Sequence, residues 1–243
     1  MTKILVIIVM CFSLTGYSQR PMQGISSKYV AKVHNEFVSK GLQWPPKNVY
    51  IRAFKYDKEL EIWVNYSDTS DFMLFKTYKI CMLSGDIGPK RQEGDYQVPE
   101  GFYYINDYNI HSQYHMSLKI DYPNLSDKIL SPYKHLGGLI YVHGNCVSVG
   151  CIAIGNTNIE EVFTLCTIAH GNGQDTIPIH IFPVDFRKPE SAAYFDREMR
   201  IRHHLIEFEE NIKEGFYRFD TSKRLSIINI GDNGKYIFDP TKY

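Results

Sequence analysis

The stretch Tyr141–Gly155, YVHGNCVSVGCIAIG, decides how the rest of the chain is interpreted. It places His143, Cys146 and Cys151 within nine positions, among glycines and other small residues. Imidazole and thiol groups this close together suit three uses, namely a disulfide, a metal site, or a nucleophile with its base. The preceding GGLIYVHG predicts a buried strand, so His143 is expected near the end of that strand.

The disulfide and the metal site can each be assigned to particular residues. A disulfide between Cys146 and Cys151 is geometrically possible if the loop folds back, and it would suit an exported protein. Zinc would take His143, Cys146 and Cys151, with Cys166 or His170 on the following helix as the fourth ligand. The spacing matches no standard zinc pattern, and Cys166 falls on the apolar face of that helix. We therefore predict no metal and no cofactor.

The third use is nucleophilic catalysis by Cys151. A thiol has an ordinary pKa of about 8.5, and a nearby imidazole such as that of His143 shifts it towards thiolate. The preceding Gly150 allows close approach of substrate to the backbone. Amides of Gly150 and Cys151 are candidate donors to an oxyanion, and Ser148 is a candidate support for the loop.

Outward from this stretch, periodicity predicts the remaining elements. Alternating or aromatic-rich segments predict strands at residues 49–66, 72–83, 102–105, 114–124, 137–144 and 176–184, and a hairpin at 225–238 turning at Asn233-Gly234. Apolar stripes predict helices at 26–40, from a capping box at 157–160 to Gly171, and at 190–213. These elements predict one α+β domain that is mainly β, with flanking helices.

The N-terminus predicts export. Residues 1–18 combine Lys3, a short apolar run and small residues near the end, which is typical of a signal peptide. Residues 19–243 are then expected to form a single catalytic domain without a stable membrane span. Its even number of cysteines permits disulfides in an oxidising compartment. The 27 basic and 27 acidic side chains balance, so nucleic acid is an unsuitable partner.

The pattern His143-Gly144, followed by Ser148-Val149-Gly150-Cys151, resembles the active-site motif of the L,D-transpeptidases. The segments SGDIGPKRQEGDYQVPEGFYYI and YHMSLKIDYPNLSD are similar to the murein L,D-transpeptidase-like branch, which includes enzymes that detach a lipoprotein from peptidoglycan. The resemblance covers residues 79–186, the core motif region, and continues more weakly into the helix and hairpin of 190–243. It implies the family's β-sandwich-like catalytic fold.

The resemblance also implies roles for individual residues. Cys151 would be the nucleophile and His143 its base, with Gly144 as a backbone partner that orients the imidazole. Many family members carry a histidine and an arginine where this chain has Val149 and Ala153. The missing arginine removes a fork for a substrate carboxylate.

Other residues are therefore candidates for binding substrate. Lys90 and Arg91, in the long loop before residue 101, could hold a carboxylate. His115 would face the site if its strand lies beside that of His143, and Tyr114 precedes it.

The sequence thus predicts an exported bacterial enzyme, periplasmic or associated with the cell wall. It would act on peptidoglycan stem peptides through a Cys151 acyl-enzyme, and a wall-linked protein is a further candidate partner. The acyl group would pass to an amine or to water, and the missing arginine favours hydrolysis of wall cross-bridges or wall-protein links. The rival hypothesis is a non-catalytic wall-binding or disulfide-stabilised structural protein of the same fold.

Overall fold

The computed structural model describes residues 25–239, and the predicted signal peptide at 1–18 lies outside the described residues. The strands are β1 (Asn48–Phe54), β2 (Glu59–Asn65), β3 (Met73–Lys79), β4 (Gly101–Asn109), β5 (Ser117–Ile120), β6 (Tyr141–His143), β7 (Ile152–Ala153), β8 (Ile177–Phe182), β9 (Ile227–Ile230) and β10 (Tyr236–Asp239). The α-helices are α1 (Ser27–Ser39), α2 (Leu125–Leu130), α3 (Asn156–Gly171), α4 (Pro189–Ile201) and α5 (Ile206–Ser222). Among the described residues, no helix is long and apolar enough to cross a membrane.

Eight strands form one mixed sheet in the order β3-β2-β1-β8-β4-β5-β6-β7. Neighbours are antiparallel except for the parallel pairs β1-β8 and β6-β7. The sheet curls until its two ends meet, because Met82, just after β3, forms an antiparallel bridge with Ala153 of β7. β9 and β10 form a separate hairpin that turns at Asn233-Gly234, as predicted. The predicted α+β, mainly β fold class is confirmed.

Strand β1 shows why the sheet is covered on both faces. Val49 and Ile51 belong to one apolar core with α1 and α3, whereas Phe54 belongs to a second core with α4 and α5. Successive side chains of a strand point to opposite faces, so an almost continuous run of buried residues needs packing on both sides. The sheet is thus held between two helical layers, and this rigid support carries the motif loop.

The first helix forms as its sequence predicts. Ser26 caps α1 by accepting a hydrogen bond from the amide of Lys28, and Val33 and Phe37 form its buried stripe. The predicted capping box of α3 at residues 157–160 is wrong. The helix has its N-cap at Gly155, two residues before the predicted cap at Thr157, and no side chain caps it.

The carboxylate of Glu160 has other partners, which explains the missing capping box. It accepts a hydrogen bond from the Tyr29 hydroxyl at 3.0 Å and lies 2.7 Å from Nε2 of His115. Tertiary contacts therefore take the side chain that local sequence assigns to the cap.

Two further predicted elements are corrected. The single helix at 190–213 is two helices, because the chain leaves helical geometry at Arg202, whose guanidinium donates to the Ile87 carbonyl at 2.7 Å. The strand predicted at 137–144 is reduced to β6, since Leu139 takes a left-handed φ of 58° and is exposed. Helix α2 is an addition, and Asn124 and Asp127 form its capping box.

Candidate active site

Cys151 lies immediately before β7 and is a free thiol. It is half-buried, and its Sγ donates to the carbonyl oxygen of Leu139 at 3.7 Å. Burial raises the pKa of the Cys151 thiol, and a main-chain hydrogen bond with Tyr141 opposes that rise. The thiol is therefore protonated at neutral pH.

His143 ends β6, where pairing with Ser117 of β5 and Ala153 of β7 holds its backbone on both sides. Its Nδ1 lies 2.6 Å from the carbonyl oxygen of Gly144. A carbonyl oxygen only accepts, so Nδ1 carries the proton and Nε2 is the basic nitrogen. Burial lowers the pKa of His143, and the smaller effect of the Gly144 contact raises it. Because the net pKa is lowered, the imidazole is neutral at pH 7.

Cys151 and His143 line the same open cavity, which has a volume of about 610 Å³. Tyr114 also lines it, and its ring centroid lies 4.8 Å from that of the imidazole. The other lining residues are polar and uncharged or apolar, namely Asn109, Ser112, Gln113, Ser117, Leu139, Tyr141, Val147, Ser148 and Val149. Among the described residues, no lysine, arginine, aspartate or glutamate lines this cavity.

Two serine hydroxyls organise the loop before Cys151. Ser148 accepts from the Cys151 amide at 3.1 Å and donates to the Cys151 carbonyl at 2.7 Å. Ser84 accepts from the Gly150 amide at 2.6 Å. Both amides singled out as oxyanion donors thus already donate to hydroxyls. Gly150 has a φ of 105°, and a Cβ there would lie 3.2 Å from the Gln97 carbonyl oxygen, so the position requires glycine.

Cys146 is bonded to Cys81, 65 residues earlier in the chain, with Cα atoms 5.4 Å apart. A bridge between Cys146 and Cys151 is therefore wrong, and Cys151 stays free. The zinc alternative loses two ligands, because Cys146 is in a disulfide and Cys166 is fully buried in the core. Within residues 25–239, no group of three or more histidines, cysteines, aspartates and glutamates could hold a metal ion.

The residues predicted to bind substrate are separated by the fold. Tyr114 reaches the cavity, whereas His115 has a φ of 79° and turns to Glu160 on α3. The ammonium of Lys90 is buried against Asp95 and the Gln92 carbonyl oxygen. The guanidinium of Arg91 donates to Asp127 at 2.7 Å. The structure does not bring His115, Lys90 or Arg91 into the cavity.

Sequence reasoning did not single out three residues at the site. Ser117 faces His143 across the β5-β6 pair, Ser84 binds the Gly150 amide, and Cys81 holds Cys146. The two serines lie in segments recognised as a strand and a functional loop. Nothing in their local spacing pointed to these contacts, which depend on how distant strands pair.

The chain belongs to the L,D-transpeptidase catalytic-domain family, whose model, YkuD, matches residues 58–183, just over half of the chain. The family predicted from the motif is thereby confirmed. Among curated proteins, YafK of Escherichia coli strain K12 is 32% identical over 191 residues, which are 78% of this chain and 73% of YafK. Because the family acts on peptidoglycan peptides, the function of this chain is related to peptidoglycan.

Solved structures with related folds include the helical cell shape determining protein Pgp2 from Campylobacter jejuni. It is 24% identical with a TM-score of 0.43, and the match covers 62% of this chain and 55% of that one. L,D-transpeptidase 1 from Mycobacterium tuberculosis is 14% identical with a TM-score of 0.32, over 55% of this chain and 61% of that one. The chain thus spans little more than half the length of these solved neighbours.

Proposed function

We propose that the protein is an exported cysteine enzyme that cleaves peptide bonds of peptidoglycan through an acyl-enzyme on Cys151. One observation carries this proposal: a free thiol and an imidazole with a basic Nε2 line the same cavity. A periplasmic or wall-associated location follows, since the substrate lies there. The free thiol favours an enzyme over the rival structural role.

The reaction begins from an uncharged pair. As the sulfur of Cys151 attacks the peptide carbonyl, Nε2 of His143 takes the thiol proton. The tetrahedral intermediate collapses when the imidazolium returns that proton to the leaving amine, which leaves a thioester on Cys151. Water then attacks the thioester with His143 as base, and the new carboxylic acid departs while the thiol is restored.

The oxyanion of the tetrahedral intermediate would be bound by the amides of Gly150 and Cys151. Each amide now donates to a neutral serine hydroxyl, from Ser84 or Ser148. Hydrogen bonds to an anion are roughly twice as strong as those between neutral groups, so a developing oxyanion can displace these hydroxyls. Until then the serines keep both amides satisfied.

The lining of the cavity favours a substrate that presents an internal amide over one that presents a terminal carboxylate. It has no charged side chain among the described residues, Lys90 and Arg91 are held in ion pairs elsewhere, and Ala153 is buried in the sheet. A free carboxylate would lose its water shell here without a cationic partner. We therefore favour hydrolysis of cross-bridges or of links between the wall and a protein, with Tyr114 contacting the substrate.

The test is digestion of peptidoglycan fragments in water enriched in heavy oxygen, followed by mass spectrometry of the products. Hydrolysis places heavy oxygen on the new carboxylate and yields few exchanged products. Incorporation of an added D-amino acid in place of that oxygen would instead establish transfer to an amine. Intact fragments, together with a Cys151 that resists alkylation, would support the non-catalytic rival.

A further inference from the structure

Cys81, Cys146 and Cys151 lie close together at the site, and of these three only Cys151 is a free thiol. Cys146 and Cys151 are five residues apart in the same loop, and Cys81 reaches that loop from the segment after β3. Cys146 and Cys81 are exposed, and Cys151 opens to the cavity. The fourth cysteine within residues 25–239, Cys166, is fully buried under the sheet and cannot take part in exchange.

Main-chain pairing fixes Cys81 beside β7. Its amide donates to the Ala153 carbonyl oxygen at 2.8 Å, and the Ala153 amide donates to the Met82 carbonyl oxygen at 3.0 Å. Ser84, three residues further along, accepts from Gly150. The segment from Cys81 to Ser84 therefore follows the loop closely and is positioned to receive Cys146.

We propose that Cys81 protects the nucleophile by keeping Cys146 in a disulfide, so that Cys146 cannot pair with Cys151. The inference rests on the proposed role of Cys151, and it concerns the chemistry of an oxidising compartment. If Cys146 were a thiol, a small-molecule disulfide could oxidise it together with Cys151. The two protein thiols would lose two protons and two electrons to form a bond, and the oxidant would leave as two thiols.

The short separation makes this side reaction favourable. Closing a loop of a few residues costs little chain entropy, so the second thiol acts at a high effective concentration. The loop also contains Gly144 and Gly150, which allow it to rearrange once the Cys81–Cys146 disulfide is lost. In the native protein, the opposite redox states of Cys146 and Cys151 coexist because Cys81 is the partner of Cys146.

The experiment exposes purified protein to oxidised glutathione and follows alkylation of Cys151, peptidoglycan cleavage and intact mass. In Cys81→Ser, we expect Cys151 to lose reactivity roughly ten-fold or more faster than in the wild type, because its partner thiol is tethered nearby. The product should lack two hydrogens, carry a Cys146–Cys151 link in peptide mapping, and regain reactivity with dithiothreitol. Equal rates for Cys81→Ser and the wild type would overturn the proposal.

The matched control is the double variant Cys81→Ser, Cys146→Ser. It lacks both the Cys81–Cys146 disulfide and the thiol of Cys146 that could compete for Cys151. It should lose Cys151 reactivity only slowly and only as a glutathione adduct, whereas rapid loss would contradict the proposal. If Cys81→Ser folds poorly, a second measurement uses wild-type protein that has been reduced and then reoxidised. Recovery of Cys81–Cys146 with an alkylatable Cys151 is expected, and a predominant Cys146–Cys151 product would overturn the inference.

The thiol readouts separate this inference from the proposed function. If alkylation and mass behave as expected but no variant cleaves peptidoglycan, the proposed function fails and the protection stands. If cleavage is observed and Cys81→Ser resists oxidation, the protection fails alone.

Discussion

Cys151 and His143 are both uncharged before substrate binds, which sets the chemistry at the scale of single residues. Burial acts on both side chains in the direction that removes charge, raising the pKa of the thiol and lowering that of the imidazole. The Gly144 carbonyl fixes the tautomer, so the basic nitrogen is defined before the reaction starts. In the proposed reaction, charge therefore develops only when the sulfur attacks.

The proposed nucleophile, Cys151, can be tested against a second free cysteine, Cys166. Cys151→Ala should lower peptidoglycan cleavage by about 10³-fold or more, the scale seen when a nucleophile is removed. Cys166→Ala should retain cleavage while losing on the order of 1 kcal/mol of stability, because it leaves a small void in the core. Steady-state rates and urea unfolding measure both effects, and the reverse pattern would reassign the nucleophile.

The pH profile of kcat/KM should show a plateau between two limbs. His143 must be neutral and Cys151 protonated, and both forms coexist from below pH ~6.5 to above pH ~8.5, since their pKa values move away from those ordinary values in opposite directions. His143→Ala should lose most activity and the acid limb. An acid limb centred above pH 7 in the wild type would contradict a lowered His143 pKa.

At the scale of elements, helix caps differ in what they connect. Ser26 caps α1 at the surface through one contact of 3.3 Å to the Lys28 amide. Asn124 caps α2 and also donates to the Phe102 carbonyl oxygen and the Tyr236 hydroxyl, at 3.1 and 2.9 Å. The second cap therefore ties a helix to the main sheet and to the terminal hairpin.

This difference predicts unequal costs for the same kind of substitution. Asn124→Ala should lower the free energy of unfolding by about 2 kcal/mol or more, because it removes a cap and leaves buried partners unpaired. Ser26→Ala should cost about 0.5 kcal/mol, the low end for an exposed cap. Urea denaturation of both variants gives the comparison. Equal losses would mean that the contacts of Asn124 with the sheet and hairpin contribute nothing.

At the scale of the whole molecule, a buried carboxyl lies where the second core meets the long loop. Glu209 of α5 is fully buried, and burial together with the neighbouring Glu100 carboxylate raises its pKa well above the ordinary value. Glu100 itself is paired with Lys55 at 2.9 Å, and Arg91 is the other nearby cation. Glu209 therefore holds its proton more tightly than an exposed glutamate does.

This predicts how stability depends on pH. The native state holds the Glu209 proton more tightly than the unfolded chain, so its contribution is complete below pH ~4.3 and declines as pH rises towards the raised pKa. The side chain introduced by Glu209→Gln does not titrate, so it loses no stability in this way. The melting temperature of this variant should therefore fall less than that of the wild type between pH 5 and pH 8. Glu210→Gln, at an exposed neighbouring position, should follow the wild type.

What the sequence predicts well is local. Helix α1 follows from its stripe and cap, and the Ser-Val-Gly-Cys loop contains within itself the contacts of Ser148 with Cys151. The partner of Cys146 lies 65 residues away, so only the closure of the sheet identifies Cys81. The contact of His115 with Glu160 spans 45 residues and is equally hidden from local spacing, whereas Lys90 pairs with Asp95 only five residues further along its own loop.

The closure between β7 and the segment after β3 limits how a peptide of the proposed substrate class can approach Cys151. Many proteins bind extended peptides as an added strand, which requires free main-chain groups along a sheet edge. Beside Cys151, the amide of Ala153 is bonded to Met82, and its carbonyl oxygen accepts from Cys81 and Met82. β-Augmentation is thereby blocked at β7. Main-chain contacts to a bound peptide would therefore have to come from other groups that line the cavity, and not from an added strand at β7.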